Sequence, residues 1–221
     1  MQMDVELNSH ARRTAELLLE IKAVKFNADN PFRLASGRQS PVYIDCRRII
    51  SFPQARSEIS DMLVELISRE VGEANIDNIA GGETAGIPFA ALAAERMNLP
   101  MSYIRKKPKG HGRMARIEGD VQPGQRVLLV EDLATDGGSK LSFVEAIRDA
   151  GADCNHIAVV FHYGIFPNAE AKLARNQLRI HRLCTWQALL KFAEGDRLVD
   201  ERTMLAVREF LDAPENWRPA S

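Results

Sequence analysis

Two runs of the chain are apolar almost without interruption, VLLV at Val127–Val130 and IAVVF at Ile157–Phe161. A strand with one wet face alternates apolar and polar residues, so runs of this kind need cover on both faces, the condition of a parallel sheet inside an α/β fold. The rest of the centre fits that frame. Short apolar runs at 76–80, 101–104, 127–130, 156–161 and 178–184 predict strands. The segments between them predict helices over 87–97 and 140–150, with two more near 186–193 and 201–211. Gly151 stands where a helix C-cap glycine belongs. Upstream, Leu17, Leu18 and Ile21 mark one face of a helix over 9–22. Ile59, Met62, Leu63, Leu66 and Ile67 mark a strongly amphipathic helix over 54–71. Between them PFRL and PVYID flank the turn-rich ASGRQS, which predicts a hairpin over 32–44. The expected architecture is one α/β domain over 1–221. Its core, about 54–165, is a mainly parallel sheet flanked by helices. A small N-terminal α+β hood, about 1–50, packs with C-terminal elements over one edge.

Composition narrows function mainly by exclusion. Lys and Arg number 29 against 30 Asp and Glu, for a net charge of −1; a global binder of nucleic acid or another polyanion is not expected, and any anion site must be local. Cys46, Cys154 and Cys184 are odd in number and far apart, with no CxxC pair, so neither a disulfide framework nor a zinc site is supported. The N-terminal MQMDVELNSHARR lacks the apolar stretch of a signal peptide, and no run has the length to cross a membrane. A cytoplasmic setting is expected.

The sharpest signal is RVLLVEDLATDGGSK, Arg126–Lys140. A buried strand delivers Glu131 and Asp132 to its C-terminal end, where ligands of open α/β sheets bind. Ala134–Ser139 then turn tightly through Gly137 and Gly138 into a helix carrying Leu141, Val144 and Ile147 on its buried side. A glycine turn that opens a helix offers main-chain N–H groups to an anion, and Thr135 and Ser139 add hydroxyls. Two carboxylates immediately before such a turn suit a ligand whose hydroxyls lie one sugar away from its phosphate. Neither GxxxxGK[ST] nor GxGxxG is present. A turn merely capped by two acids is the plainer alternative.

The second signal is the run from Arg105 to Arg116, which holds Arg105, Lys106, Lys107, Lys109, His111, Arg113 and Arg116 and no acid. Pro108, Gly110 and Gly112 disfavour a helix there. A cationic loop hinged on glycines is suited to neutralising a leaving anion, and its histidine can donate a proton or a hydrogen bond. Solvated surface charge is the alternative.

Together these motifs carry a resemblance. Arg126–Ala152 resembles the phosphoribosyl pyrophosphate (PRPP) signature of the type I phosphoribosyltransferases, and RKKPKGHG is similar to the catalytic loop of the orotate phosphoribosyltransferases. FRLASGRQSPVYIDCR resembles their hood, and AGGETAGIPF their pyrophosphate loop. The resemblance implies transfer of ribose 5-phosphate from PRPP to orotate. Catalysis would fall to Lys109, His111 and Asp132. PRPP would be held by Arg105, Lys106, Lys109, His111, Glu131, Asp132, Leu133, Ala134, Thr135, Asp136, Gly137, Gly138, Ser139 and Thr84, and orotate by Thr135, Tyr43 and Ile44. It also implies Mg²⁺ carried mainly by substrate and water, with no protein metal ligand, and a homodimer whose basic loop reaches the neighbouring site. Ala85 and Ala35 stand where many or some members carry lysine, and Asp136 where a small residue or threonine is usual. The rival readings are a purine phosphoribosyltransferase and a PRPP-sensing regulator that binds DNA; the basic loop and the hood argue against the first, and the neutral charge balance against the second.

Overall fold

A computed structural model describes residues 9–34, 37–109, 116–135, 138–195 and 199–219, with the main chain only at 139, 167 and 195. In chain order the elements are α1 (Ser9–Glu20), β1 (Val24–Phe26), β2 (Phe32–Arg33), β3 (Gln39–Ser40), β4 (Val42–Ile44), α2 (Pro53–Glu70), β5 (Asn78–Gly82), α3 (Gly86–Met97), β6 (Met101–Ile104), β7 (Ile117–Glu118), β8 (Arg126–Ala134), α4 (Gly138–Asp149), β9 (Asp153–His162), α5 (Pro167–Arg175), β10 (Arg179–Thr185), α6 (Trp186–Gly195) and α7 (Glu201–Asp212). A 3-10 turn, Cys46–Ser51, joins β4 to α2.

The central sheet runs β10-β9-β8-β5-β6-β7. All its pairs are parallel except β6 with β7, an antiparallel hairpin at the edge. The apolar runs are covered on both sides, as expected. Ile79, Leu128, Val130, Ala158 and Val160 join residues of α1, α2, α3, α6 and α7 in one cluster. Ala80, Leu129, Ile157 and Val159 join Leu141, Val144 and Ile147 of α4 and Leu173 of α5 in another. The helix ends follow local chemistry. Pro53 sits in the first turn of α2, where its missing N–H costs nothing. Gly151 closes α4 at φ +92°, with the Ala152 N–H bonded back to the Ile147 carbonyl. All three cysteines are free and buried, and among the described residues no helix is long and apolar enough to cross a membrane.

The N-terminal hairpin is shorter than the sequence suggests. Phe32 and Arg33 pair with Ser40 and Gln39, not with PVYID. The strand Val42–Ile44 instead pairs antiparallel with Val24–Phe26. Pro41 explains the break: it has no N–H for a ladder, and its carbonyl accepts from Asn27. The partner strand, VKF, is too short to stand out after α1. The short edge strand β7 and helix α5 are also absent from the expectations; α5 is a nine-residue helix opened by Pro167.

Ile59 of α2 is fully buried and belongs to the core cluster on the α2 side of the sheet. Replacing it with alanine is expected to cost about 2–5 kcal/mol, read as a lower urea midpoint, with turnover per folded molecule unchanged.

Candidate active site

Strands β5 and β8 lie side by side, with Gly81 opposite Val130. From β5 the chain crosses through α3 to β6 on one side; from β8 it crosses through α4 to β9 on the other. Their C-terminal ends therefore bound a topological switch point, where crossovers diverge and leave a crevice. Several of the predicted site residues lie at these strand ends. Glu131 and Asp132 are buried near the C-terminal end of β8, Glu83 and Thr84 follow β5, and the first turns of α3 and α4 open beside them.

The two acids turn to different neighbours. Glu131 is 3% exposed, and its Oε2 accepts from the Lys140 ammonium of α4 at 2.8 Å. Its Oε1 is buried with no hydrogen-bond partner among the described residues. Burial pushes this carboxyl up to about 7, against the opposing pull of Lys140. Asp132, also buried, is raised by desolvation, and Lys140, the Leu133 N–H and Arg47 pull it back. Asp132 thus has Arg47, and also Cys46, of the turn after β4 among its electrostatic neighbours.

Glycine makes the niche for Glu131. A Cβ on Gly82 would collide with Glu131 Oε1 and with the Phe143 ring; one on Gly86 would fall 2.9 Å from Oε1 and 2.7 Å from the Val130 carbonyl. Between these glycines the chain turns through Glu83, Thr84 and Ala85 into α3. Ala85 caps α3 without a side-chain hydrogen bond, and Thr84 is exposed. First-turn N–H groups with no side-chain cap suit an anion.

The basic loop is the connection of the β6–β7 hairpin. Its base is closed by the Arg105 N–H to the Arg116 carbonyl at 2.7 Å, and Arg116 also reaches the Ser142 carbonyl and hydroxyl on α4. The Lys106 N–H donates to the Glu83 carboxylate at 2.7 Å, which roots the loop at the switch point. Arg105 and Lys109 both approach Glu118. The run free of acids between 105 and 116 therefore has its counter-charge two residues beyond it. Lys109 is largely exposed and pairs with Glu118 rather than with Glu131 or Asp132.

Of the other predicted residues, Ala134 is buried, and its carbonyl accepts from the Tyr163 N–H, while Leu133 is half-buried. Thr135 follows β8, and Gly138 opens α4, followed by Ser139. His111, Asp136 and Gly137, like Ala35, lie outside the described residues. In the hood Tyr43 is half-buried, accepts from Arg47 through its hydroxyl at 3.3 Å and packs on Phe32 with ring centroids 5.7 Å apart. The Ile44 side chain belongs to the core instead, since neighbours on a strand face opposite ways. Sequence reading assigned no role to Lys140, Arg47, Glu83, Glu118 or the pair Gly82 and Gly86. AGGETAG did display those glycines, but nothing in the sequence tells that Lys140 folds back onto Glu131.

A mainly parallel sheet with two acids, a glycine turn and a helix start at its switch point defines a phosphoribosyltransferase domain, and the family model described as phosphoribosyl transferase domain matches residues 51–182. The orotate phosphoribosyltransferase of Roseobacter denitrificans is 58% identical over 211 residues, covering 96% of this chain and 94% of that protein. Among solved structures, orotate phosphoribosyltransferase from Aeropyrum pernix superposes with a TM-score of 0.71 at 32% identity, covering 84% of this chain and 99% of that one. UMP synthase of Leishmania donovani superposes at 0.77 with 27% identity over 91% of this chain, which spans 42% of that longer protein. The chain belongs to the orotate phosphoribosyltransferase family and is a pentosyl-transferring enzyme.

Gly82→Ala tests the niche. The added methyl must drive Glu131 from its place, so turnover is expected to fall on the order of tenfold or more and the melting temperature by several degrees. Unchanged values in a thermal melt and an activity assay would show that the carboxylate does not need this position.

Proposed function

We propose that the enzyme moves ribose 5-phosphate from PRPP to a ring nitrogen of orotate, giving orotidine 5′-monophosphate and pyrophosphate, a step of pyrimidine (UMP) biosynthesis. One observation carries this reading: buried Glu131 and Asp132 stand between two helix starts, with a basic hairpin rooted beside them through Lys106 and Glu83.

The base nitrogen attacks the anomeric carbon, whose bond to the pyrophosphate oxygen breaks; the electron pair leaves with pyrophosphate. The protein supplies alignment and charge rather than a nucleophile. In this reading the turn Leu133–Ser139, with Thr135, Asp136, Gly137, Gly138 and Ser139, holds the 5-phosphate at the start of α4. Glu131 and Asp132 hold the ribose, and Asp132 faces the positive charge that develops on it. Thr84 and the first turn of α3 meet the diphosphate with Arg105, Lys106, Lys109 and His111. Thr135, Tyr43 and the main chain of Ile44 bound the orotate side. In this reading Mg²⁺ would be held mainly by the oxygens of PRPP and by water. When bound it offsets diphosphate charge. A cytoplasmic homodimer completes the proposal, with Lys109 and His111 serving the neighbouring site.

Pyrophosphate release from PRPP should be supported by orotate and only poorly by uracil, because a site built for a carboxylate leaves polar groups unmatched without it. Equal rates with uracil, or a preference for adenine, would overturn the substrate assignment.

Sharing in trans has its own test. Lys109→Ala and Asp132→Asn homodimers are each expected to lose about tenfold to a thousandfold in turnover. Unfolded and refolded together in equal amounts, they form half heterodimers, each with one intact composite site, so activity should recover to about a quarter of the wild-type value. A loop acting on its own subunit gives no recovery.

A further inference from the structure

Lys140 opens the first turn of α4, yet its ammonium points back to β8. Its side chain is 10% exposed and that of Glu131 4%, and their charged atoms are 2.8 Å apart. A buried lysine is rare unless paired, and a pair removed from water recovers its desolvation only when its geometry is good. The pair spends only one oxygen of Glu131. Oε1 has no donor among the described residues and lies where Gly82 and Gly86 leave room for it. Two main-chain positions that exclude any side chain, and a buried cation on the opposite oxygen, together fix one rotamer of one carboxylate at the switch point.

We propose that Lys140 is a positioning residue for phosphoribosyl transfer, holding the Glu131 carboxylate in one rotamer against the Gly82–Gly86 turn, in the place from which the acid pair Glu131 and Asp132 meets the ribose. The inference rests on the reading of the site as one for PRPP. Four elements surround Glu131. Helix α4 presents Lys140 and Phe143, β8 presents Asp132, the basic hairpin presents Lys106, and the β5–α3 turn presents glycines without side chains. Lys140 is the one cation hydrogen-bonded to Glu131 among the described residues. Desolvation and Asp132 favour the protonated acid, and Lys140, ahead of Lys106, favours the carboxylate. Removing Lys140 therefore moves the loss of the carboxylate to higher pH.

The experiment is a double-mutant cycle on the full-length enzyme, with kcat and KM for PRPP measured against pH for wild type, Lys140→Met, Lys140→Arg, Glu131→Gln and Glu131→Gln/Lys140→Met. Lys140→Met is expected to raise KM for PRPP on the order of tenfold near neutral pH, with a smaller change in kcat. The acid limb of kcat/KM should move up by about one pH unit, because the carboxylate no longer has an ammonium beside it to favour its charged form. Lys140→Arg should restore most of both. In the Glu131→Gln background, Lys140→Met should change kcat/KM less than about twofold, because a residue that acts through another has nothing left to act on. An undiminished loss in that background, or an acid limb that stays in place, overturns the proposal. If Lys140→Met does not fold, Lys140→Gln replaces it, and the comparison within the Glu131→Gln background, where both charges are gone, still decides. A wild-type enzyme that releases no pyrophosphate from PRPP with orotate would refute the reading of the site itself, an outcome separate from any result of the cycle.

Discussion

The parallel pairing of β5 with β8 is the constraint from which the rest of the site follows. Parallel neighbours cannot be joined by a tight turn, so each needs a crossover helix, and here the two crossovers leave in opposite directions. Both helices then begin at the same end of the sheet as the two acids. Close approach of those strand ends requires Gly81, Gly82 and Gly86, since a Cβ at any of them would come within 3 Å of backbone or of Glu131. Strand order thus decides where the crevice is, and glycine decides whether a carboxylate fits into it.

Electrostatics divides the crevice into a buried and an exposed part. Inside, Glu131 and Lys140 neutralise each other almost completely out of water, where an unpaired charge is very costly. Outside, Arg105 and Lys109 share Glu118 in a setting where solvent weakens each interaction. The inner pair holds a geometry, whereas the outer pairs exchange readily for a better anion. A chain with a net charge of −1 can in this way still present locally concentrated positive charge.

Much of this is legible in the sequence itself. The uninterrupted VLLV and IAVVF runs announced a doubly covered parallel sheet, and the 3.6-residue spacing from Ile59 to Ile67 placed α2 within a residue of its limits. Strand end, acids and glycine turn were readable because one short stretch of sequence holds them all. What stayed hidden depends on distant segments meeting in space. VKF gives no periodicity of its own and becomes a strand only because β4 lies beside it. Pro41 breaks a ladder that PFRL and PVYID suggested. Glu118 lies just past a run that reads as free of acids, and the approach of Lys140 to Glu131 joins a strand end to the helix that follows it.

The anchoring of Arg116 to Ser142 and of Arg105 to Arg116 has a geometric corollary. With both ends of the connection pinned, to α4 and β6, a link of ten residues, 106–115, has a fixed contour length. At about 3.4 Å per extended residue, a ten-residue link held at both ends keeps its main chain within roughly 17 Å of the pinned base, to which a side chain adds its own length. That radius is a ruler for assembly. Any second crevice served by Lys109 or His111 must open within it, so only those subunit arrangements that bring the partner's β8 end to the foot of this hairpin can share chemistry.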